Sequence, residues 1–480
     1  MSTSPLTVGS LEGVLERAHR VPPLHDFPGV DELLASFDEL VERHPGLARR
    51  RRIGTSRLGE PIPMVSIGDG PRQMLMVAGV HPNEPIGFRT VQHLAELLCT
   101  DEELRAALDA TWHLVPCIDP DGARLNEAWY GDPRSRTAYA RRFYRPAPDE
   151  QVEWTFPLAH EGHWFDDVMP ETLALMRVID EVRPELMVSL HNAEMGGVYY
   201  YLSEEVPGAV EALHAIPASL DLPLDTGEPE SPALQLLGPA VYRMASTRDE
   251  YDYLVSRGLD PTGLVGGDSS AAYAARHGTV SLVAELPYWS HPSADDDTPT
   301  ATSYREVLIA KAEGLIELGA ALTEVLEAAA PYLSIRSPFL RASEAFVPMM
   351  GTVGRHERDR AELPESDRPA TVSEVFSAAD LVRCFRLRYG GMLVRALAAE
   401  IAAGTATARV RELHHGLVTT YEAWLEEADR VEGLEVIPVE RLVGVQLAAT
   451  LTMAELLGRR RAAAGHGAVG PGAAGQGAAG

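Results

Sequence analysis

Short apolar segments alternate with amphipathic segments along residues 30–330, and this alternation constrains the fold more than any other feature of the sequence. The amphipathic segments repeat apolar residues every three or four positions, which predicts helices at 30–43, 88–99, 171–182 and 304–329. The predicted strands are the apolar runs at 62–68, 73–80, 112–117, 186–190, 198–202 and 280–285. Buried strands that alternate with helices predict a three-layer α/β fold, whose mainly parallel, mixed sheet carries helices on both faces.

The composition changes after residue 330, and this change divides the chain into predicted regions. We expect an N-terminal extension at 1–25, followed by a catalytic domain at 26–330. Scattered prolines and a charge-dense run predict a linker or loop at 331–371. Apolar residues at helical spacing predict a separate C-terminal helical region at 372–462. The Gly/Ala-rich segment 463–480 cannot bury a core, so we expect a disordered tail.

Charge and cysteine content limit the partners and the compartment. The chain has 480 residues and a formal net charge of −28, whereas a surface that binds nucleic acid is basic. No segment contains the roughly 20 apolar residues of a membrane-spanning helix, and the N-terminus lacks the pattern of a secretory signal. Only three cysteines occur, so a disulfide framework is not expected. We therefore expect a cytoplasmic protein with no nucleic-acid or membrane partner, and the sequence favours no oligomeric state.

Three residues at the ends of predicted strands form a candidate metal site. His81 and Glu84 follow the strand at 74–79, and ligands of an open α/β sheet bind at the carboxyl ends of its strands. His191 ends a second apolar run, although a histidine at the edge of the core that hydrogen-bonds to backbone would look the same. Nitrogen and carboxylate ligands suit Zn²⁺, and three protein ligands leave the open position of a catalytic zinc.

A fourth polar residue, Glu285, ends a third apolar strand. A buried carboxylate is unfavourable unless it is paired or used in chemistry. Glu285 therefore either forms a salt bridge with an arginine or acts as a general base. A second histidine-rich segment, 159–167, has His160 and His163 three positions apart instead of the four of a zinc-binding helix, so we expect a polar loop there.

Taken in order, these segments resemble the zinc metallocarboxypeptidases of the funnelin type, which are carboxypeptidase A-like, from Asp31 to Ala330. HPNE resembles the metal motif of the family, DPDG one of its turns, and SLHN the strand that carries the third ligand. GGDSSAAY and TVSLVAEL resemble the specificity loop and the strand of the catalytic glutamate. The resemblance implies one Zn²⁺ per chain, and Glu285 as general base and proton shuttle.

The resemblance also implies positions for the substrate-binding residues. Arg124 follows the DPDG turn, where the family has the arginine that stabilises the oxyanion. Arg141 matches the arginine that pairs with the terminal carboxylate of the substrate, and Arg142 takes this role if the register shifts by one. Ser269 lies where the family reads the last side chain of the substrate.

Three departures from the family pattern affect the expected substrate. Ala140 and Ala138 stand where the family has an asparagine and an aspartate, the latter supporting a metal-binding histidine. The family's substrate-capping tyrosine would fall near Thr262, with Tyr251 and Tyr253 upstream as possible substitutes. These departures weaken the case for removal of a C-terminal residue more than the case for zinc-dependent hydrolysis.

The expected function is therefore hydrolysis of the C-terminal peptide bond by a zinc-dependent metallocarboxypeptidase. One alternative is a zinc amidohydrolase of the aspartoacylase or N-acyl-amino-acid deacylase type, which lacks the capping tyrosine. A second alternative is a non-catalytic binding module on the same fold. In the first two cases the expected substrate is a peptide or an N-acyl amino acid with a free carboxylate.

Overall fold

The computed structural model describes residues 10–231, 234–258, 261 and 266–467, which form sixteen α-helices and fifteen β-strands. The strands are β1 (Ala48–Thr55), β2 (Pro61–Ile67), β3 (Arg72–Val77), β4 (Ala110–Val115), β5 (Leu158–His160), β6 (His163–Phe165), β7 (Leu186–Leu190), β8 (Tyr199–Leu202), β9 (Gln235–Gly238), β10 (Val241–Arg243), β11 (Val280–Glu285), β12 (Trp289–Ser290), β13 (Pro299–Ser303), β14 (Pro369–Thr371) and β15 (Glu435–Val436). The helices are α1 (Leu11–His19), α2 (Val30–Arg43), α3 (Ile86–Thr100), α4 (Glu102–Leu108), α5 (Pro120–Arg124), α6 (Glu127–Tyr130), α7 (Arg136–Arg142), α8 (Pro170–Val182), α9 (Ala209–Ser219), α10 (Thr247–Ser256), α11 (Ser270–Ala275), α12 (Tyr304–Ala329), α13 (Pro338–Ala361), α14 (Val372–Ala402), α15 (Ala408–Asp429) and α16 (Val439–Gly467). None of these helices has a stretch that is both long and apolar enough to cross a bilayer.

One mixed sheet of nine strands forms the centre of the molecule, in the order β1-β2-β4-β3-β7-β11-β8-β10-β9. Its middle strands β4, β3, β7 and β11 run parallel, whereas β1, β2, β8 and β9 each make at least one antiparallel pair. The register aligns Met74 of β3 with Leu186 of β7, and Leu186 with Val280 of β11. The carboxyl ends of β3, β7 and β11 therefore lie side by side at one edge of the sheet.

The two faces of the sheet are buried under different layers, as the apolar sequences of the middle strands predict. Met74 and Met76 of β3 belong to a core shared with α2, α3 and α16. Leu75 and Val77 face the other way and pack in a second core with α8 and α11. Alternate side chains of one strand thus contribute to two cores. The predicted three-layer α/β fold and the helical character of the C-terminal region are confirmed.

The linker predicted at 331–371 is wrong for most of its length, because α13 occupies Pro338–Ala361. Ser337 caps this helix by accepting a hydrogen bond from the amide of Leu340, and Pro338 takes the first turn, where its missing N–H has no consequence. Phe346, Val347 and Met350 lie on the buried face of the helix. The charged residues that suggested a loop lie mainly on the exposed remainder, so composition concealed an amphipathic helix.

The prediction of a separate C-terminal helical region is also corrected, because α16 packs directly against the sheet. It contacts β7 and β11 and the helices α1, α3 and α9. Gln446 donates a hydrogen bond of 2.9 Å to the carbonyl of His191 and accepts one of 2.6 Å from Thr90. The last long helix is therefore part of the layer that covers the predicted catalytic domain.

The termini depart from the predicted extension and tail where they are described. Within the predicted extension at 1–25, residues 11–19 form α1, whose Val14 and Ala18 are buried in the main core. Residues 463–467 of the predicted tail continue α16, and residues 468–480 lie outside the described part of the chain. The segment predicted as a polar loop at 159–167 contains the hairpin of β5 and β6.

The packing of α16 predicts that its core residues stabilise the whole molecule. Leu447 is fully buried, so Leu447→Ala should lower the free energy of unfolding by about 2–5 kcal/mol. The matched control Leu58→Ala, at a leucine that is 81% exposed, should change it by less than about 0.5 kcal/mol. Calorimetry should record one transition that moves as a whole, and a loss confined to a second, smaller transition would contradict this packing.

Candidate metal centre and cavity

Two turns that follow adjacent parallel strands bring three potential ligands together. His81 and Glu84 lie in the turn between β3 and α3, and the Glu84 amide donates to the His81 carbonyl at 3.1 Å. Gly79 enters this turn with φ of +71°, where a Cβ would lie 3.1 Å from Cys117 Sγ. His191 directly follows β7. All three side chains are buried, and their ligand atoms lie within 4.8 Å of one another.

Glu84 is the central member of this cluster. Its Oε2 lies 3.2 Å from Nδ1 of His81 and 3.3 Å from Nδ1 of His191, and it accepts a hydrogen bond of 3.1 Å from the amide of Asn192. Burial by itself would raise the pKa of Glu84, but the neighbouring His81 and Arg145 outweigh it and hold the pKa well below its usual value. The carboxylate is therefore ionised and faces both imidazoles.

The far sides of the two imidazoles are held by different residues. Ser189 Oγ lies 2.9 Å from Nε2 of His191, and Arg145 Nη2 lies 2.9 Å from Nε2 of His81. Burial, reinforced by the Arg145 charge, lowers the pKa of His81 to about 3. For His191 the opposing effect of burial is outweighed by Glu84 and nearby carboxylates, and its pKa rises to about 9. Ala138 stands where the family has an aspartate that supports a metal-binding histidine. At His81 the outer partner is instead the guanidinium of Arg145, which is a hydrogen-bond donor and not an acceptor.

The donor set fits a zinc ion. Two imidazole nitrogens and one carboxylate oxygen form the three-ligand set of catalytic zinc sites and leave a position for water or substrate. The contact with Ser189 Oγ orients His191, and the hydrogen bond from the Asn192 amide orients Glu84, as supporting residues of metal sites do. Among the described residues, His81, Glu84 and His191 are the one such group close enough to share an ion.

Glu285 lies beside this cluster at the end of β11. Its Oε1 is 3.6 Å from Nδ1 of His191, and its side chain is 9% exposed. Burial is the largest influence on this carboxyl group and raises its pKa well above the usual value. The alternative in which an arginine neutralises Glu285 has no support among the described residues, since its close ionic partner is His191.

The cluster opens into a cavity of about 1200 Å³. Ser269 lines this cavity and also caps α11 by accepting from the amide of Ala272. Glu153 is a further buried carboxylate of the wall, with hydrogen bonds from the amide and hydroxyl of Ser270. Helices α13 and α14 form one side of the cavity. They contribute charged residues, among them Glu357, Arg360 and Arg388, and the apolar residues Phe346, Met349, Leu381, Phe385 and Tyr389.

The three arginines predicted from the resemblance do not line the cavity. Arg124 pairs with Asp31 at 2.7 Å and with Glu60 at 2.9 Å. Arg141 is exposed and binds Glu422 of α15 at 2.6 Å, and the side chain of Arg142 is also exposed. The predicted oxyanion and carboxylate roles of these residues are therefore corrected, because each side chain points to the surface or to another helix.

One of the two tyrosines proposed as a cap for the bound substrate borders the cavity. Thr262, the position expected from the family pattern, lies outside the described residues. Of the two upstream tyrosines on α10, Tyr253 lines the cavity, whereas Tyr251 donates its hydroxyl hydrogen to the carbonyl of Glu161. Tyr253 is thus the one of the two that borders the cavity.

Sequence reasoning missed the arginines of the cavity wall, which include Arg145 and Arg388 as well as Arg257 and Arg360. Arg145 stood among five arginines in a charged segment, and its distinguishing signal is the apolar pair Phe143–Tyr144 and Pro146 around it. Arg388 shares one helical face with Asp380 and Cys384, four residues apart, in a region assigned no role in the site.

Comparison with known proteins identifies the relatives of the first half of the chain. The profile of the family described as "Zinc carboxypeptidase" matches residues 33–218, which include His81, Glu84 and His191. Carboxypeptidase E of Caenorhabditis elegans is 29% identical over 107 residues, which cover 20% of this chain and 23% of that protein. Carboxypeptidase Z of Mus musculus is 25% identical over 178 residues, covering 31% and 27%. The chain thus matches about a quarter of the length of these relatives.

Solved structures also align with the chain. Carboxypeptidase A from Helicoverpa armigera aligns with a TM-score of 0.35 and 14% identity, covering 73% of this chain and 79% of that one. A metallo-carboxypeptidase from Burkholderia cenocepacia aligns with a TM-score of 0.32 and 17% identity, covering 54% and 60%.

The geometry predicts that His191 is required for metal binding. His191→Ala should weaken zinc binding by more than about 100-fold, because it removes one of three ligands. The matched control is His160→Ala on β5, where the imidazole pairs with Asp252 at 2.7 Å and lies outside the cluster. Zinc per chain after dialysis is the measurement, and equal zinc in the His191→Ala variant and the wild type would refute the assignment.

Proposed function

We propose that this chain is a zinc-dependent carboxypeptidase, because residues 33–218 match the profile of the family described as "Zinc carboxypeptidase". Its reaction is hydrolysis of the C-terminal peptide bond of a substrate that has a free carboxylate. The observation that carries the proposal is the convergence of His81, Glu84 and His191 beside Glu285, at the edge of one cavity.

The roles of the residues follow from their positions. His81, Glu84 and His191 would hold a Zn²⁺ ion, which would supply Lewis-acid chemistry for the scissile carbonyl and for the attacking water. Glu285 accepts a proton from the attacking water and returns it to the amine that leaves. Its raised pKa, caused first by burial, suits a group that both takes and gives a proton. Arg145, bound to Glu84 at 2.7 Å, keeps the ligand carboxylate oriented.

The cavity wall supports a short substrate. Helices α13 and α14 close one side of the space in front of the metal cluster with Phe346, Phe385 and Tyr389. These helices leave little room for the rest of a folded protein substrate, whereas a short peptide fits in a cavity of about 1200 Å³. Ser269 and Glu153 border the same space and are candidates for contact with the terminal side chain.

The same wall also favours a second candidate, a zinc amidohydrolase that removes the acyl group from an N-acyl amino acid. A cavity of about 1200 Å³ accommodates such a small substrate as well as it accommodates a dipeptide. The binding-module alternative has less support, because the ligand set and a buried carboxylate beside it are both intact.

We also propose that the protein acts in the cytoplasm. Its three cysteines, Cys99, Cys117 and Cys384, are all free and buried, which is common where thiols stay reduced.

The role of Glu285 gives a direct prediction. Glu285→Gln keeps the shape of the side chain but removes its ability to take a proton, so kcat should fall by about 10²- to 10⁴-fold. Zinc content should stay at the wild-type value, since Glu285 is outside the ligand set. The matched control, Glu205→Gln at an exposed position, should keep full activity. A Glu285→Gln variant that turns over normally with zinc bound would move the base to another carboxylate, with Glu153 as the first candidate.

Substrate class and metal dependence give a second prediction. A panel of free-acid dipeptides, longer peptides and N-acetyl amino acids, followed by mass spectrometry, should show fastest release of the C-terminal residue from short peptides. A chelator should abolish this release and added zinc should restore it. Turnover of N-acetyl amino acids alone would favour the deacylase, and turnover that resists the chelator would contradict both zinc enzymes.

A further inference from the structure

The helical C-terminal half contributes two arginines to the wall of the cavity: Arg360 of α13, which pairs with Glu228 and Glu357, and Arg388 of α14. Arg388 of α14 lines the cavity, and its neighbours on that side include Phe346, Phe385 and Tyr389. A largely buried guanidinium is unfavourable unless a partner compensates its charge.

Arg388 is fixed at one nitrogen only. Its Nε donates a hydrogen bond of 2.8 Å to Glu194 Oε2, and its guanidinium carbon lies 5.3 Å from the centre of the Phe143 ring. Among the described residues, its two terminal nitrogens, Nη1 and Nη2, have no hydrogen-bond partner. Neither nitrogen is sealed from solvent, in contrast to Nη1 of Arg136, which is buried and unpaired. The open fork of Arg388 thus faces space that a ligand can enter.

The ion network that holds Arg388 has more positive than negative charge. Glu194 pairs with Arg388 at 2.8 Å and with Arg136 at 3.2 Å. Asp380 pairs with Arg136 at 3.2 Å and with Arg383 at 2.7 Å. Three guanidinium groups therefore share two carboxylates, which leaves one positive charge without a counterion in this network.

A cysteine in the same network does not supply the missing negative charge. The thiol of Cys384 lies 3.2 Å from Asp380 Oδ2 and donates to it. Burial raises the pKa of this thiol well above its usual value, so it stays neutral. An anion bound at the free fork of Arg388 would balance the network, and a carboxylate matches the fork with two parallel hydrogen bonds.

Arg388 is connected to the metal cluster through two chain segments. Its partner Glu194 follows the ligand His191 by three residues, and Phe143 precedes Arg145 by two. Arg145 in turn contacts His81 and Glu84. Arg388 and the metal ligands thus contact residues of the same two chain segments.

We propose that Arg388 binds the terminal carboxylate of the substrate, so that α14 completes the substrate site of the catalytic domain. This inference rests on the proposed function for the identity of the anion. Of the other arginines in the cavity wall, Arg145 is already engaged at all three nitrogens, by Gln151, Glu84 and His81. Arg257 and Arg360 pair with glutamates. Arg141, Arg142 and Arg124 lie outside the cavity. Arg388 lies beyond residues 33–218, so the segment shared with known carboxypeptidases does not include it.

The test compares acetyl-Ala-Phe with its C-terminal amide as substrates. The wild type should prefer the free acid, and Arg388→Gln should lower kcat/KM for the free acid by about 10- to 100-fold while leaving the amide unchanged. Arg388→Lys keeps the charge and the pairing with Glu194 but loses the fork, so its loss should be smaller. Zinc content and the circular dichroism spectrum should match the wild type in both variants.

The matched control is Arg386→Gln, two residues earlier on α14, where the guanidinium pairs with Glu427 instead of facing the cavity. It should keep the wild-type preference for the free acid. An unchanged preference in Arg388→Gln overturns the proposal, as does an equal loss in Arg386→Gln. Loss of the preference only in Arg145→Gln also overturns it and assigns the anchor to Arg145.

A binding measurement separates this inference from the proposed function. Calorimetry with zinc-loaded Glu285→Gln protein should detect acetyl-Ala-Phe, and adding Arg388→Gln should weaken this binding by about 10- to 100-fold. If the wild type hydrolyses neither substrate, the proposed function fails, and the calorimetric result alone decides on Arg388. Equal affinity with and without Arg388→Gln rejects the anchor whether or not the protein is an enzyme.

Discussion

The burial of ionisable groups at the carboxyl ends of β3, β7 and β11 is the constraint on which the site depends. His81, Glu84, His191 and Glu285 are each less than 10% exposed, and unpaired charges there would be strongly unfavourable. Glu84 offsets most of this unfavourable free energy, because its carboxylate contacts both imidazoles. The parallel register of three neighbouring strands is what brings the four residues to one point, because it aligns their ends at one edge.

The ligands were predictable from sequence because each is marked locally. His81 follows an apolar run that is too short for a helix, and His191 and Glu285 each end such a run. A polar residue at that position stands out from the apolar residues before it. The arginines carry no such mark. Arg141 and Arg145 lie four residues apart in the same charged segment, yet one binds Glu422 on α15 and the other contacts the ligands. Only tertiary contacts across some 280 residues of chain distinguish them.

The packing of the helical C-terminal half was also only partly predictable from the sequence. The spacing of apolar residues predicted helices after residue 372. It did not predict that they cover the sheet, because an apolar helix face can pack against a sheet or against another helix. In α16 the deciding residue is polar. Gln446 bonds the carbonyl of His191, so the helix fixes the backbone of a ligand as well as burying leucines. In α13, prolines and charges suggested a linker, because a proline at the first turn and one inside the helix were both taken as breaks.

The network of Arg136, Glu194, Asp380 and Arg388 connects these two halves energetically. Glu194 is three residues from a ligand and lies between arginines of α7 and α14, so α14 cannot move away without leaving a buried carboxylate with one partner fewer. Buried ion pairs add little to stability in comparison with apolar packing, so stability alone does not explain three of them here. Their directional hydrogen bonds do fix the orientation of α14 towards the cavity. That orientation decides which side chains of the helical half face the metal cluster.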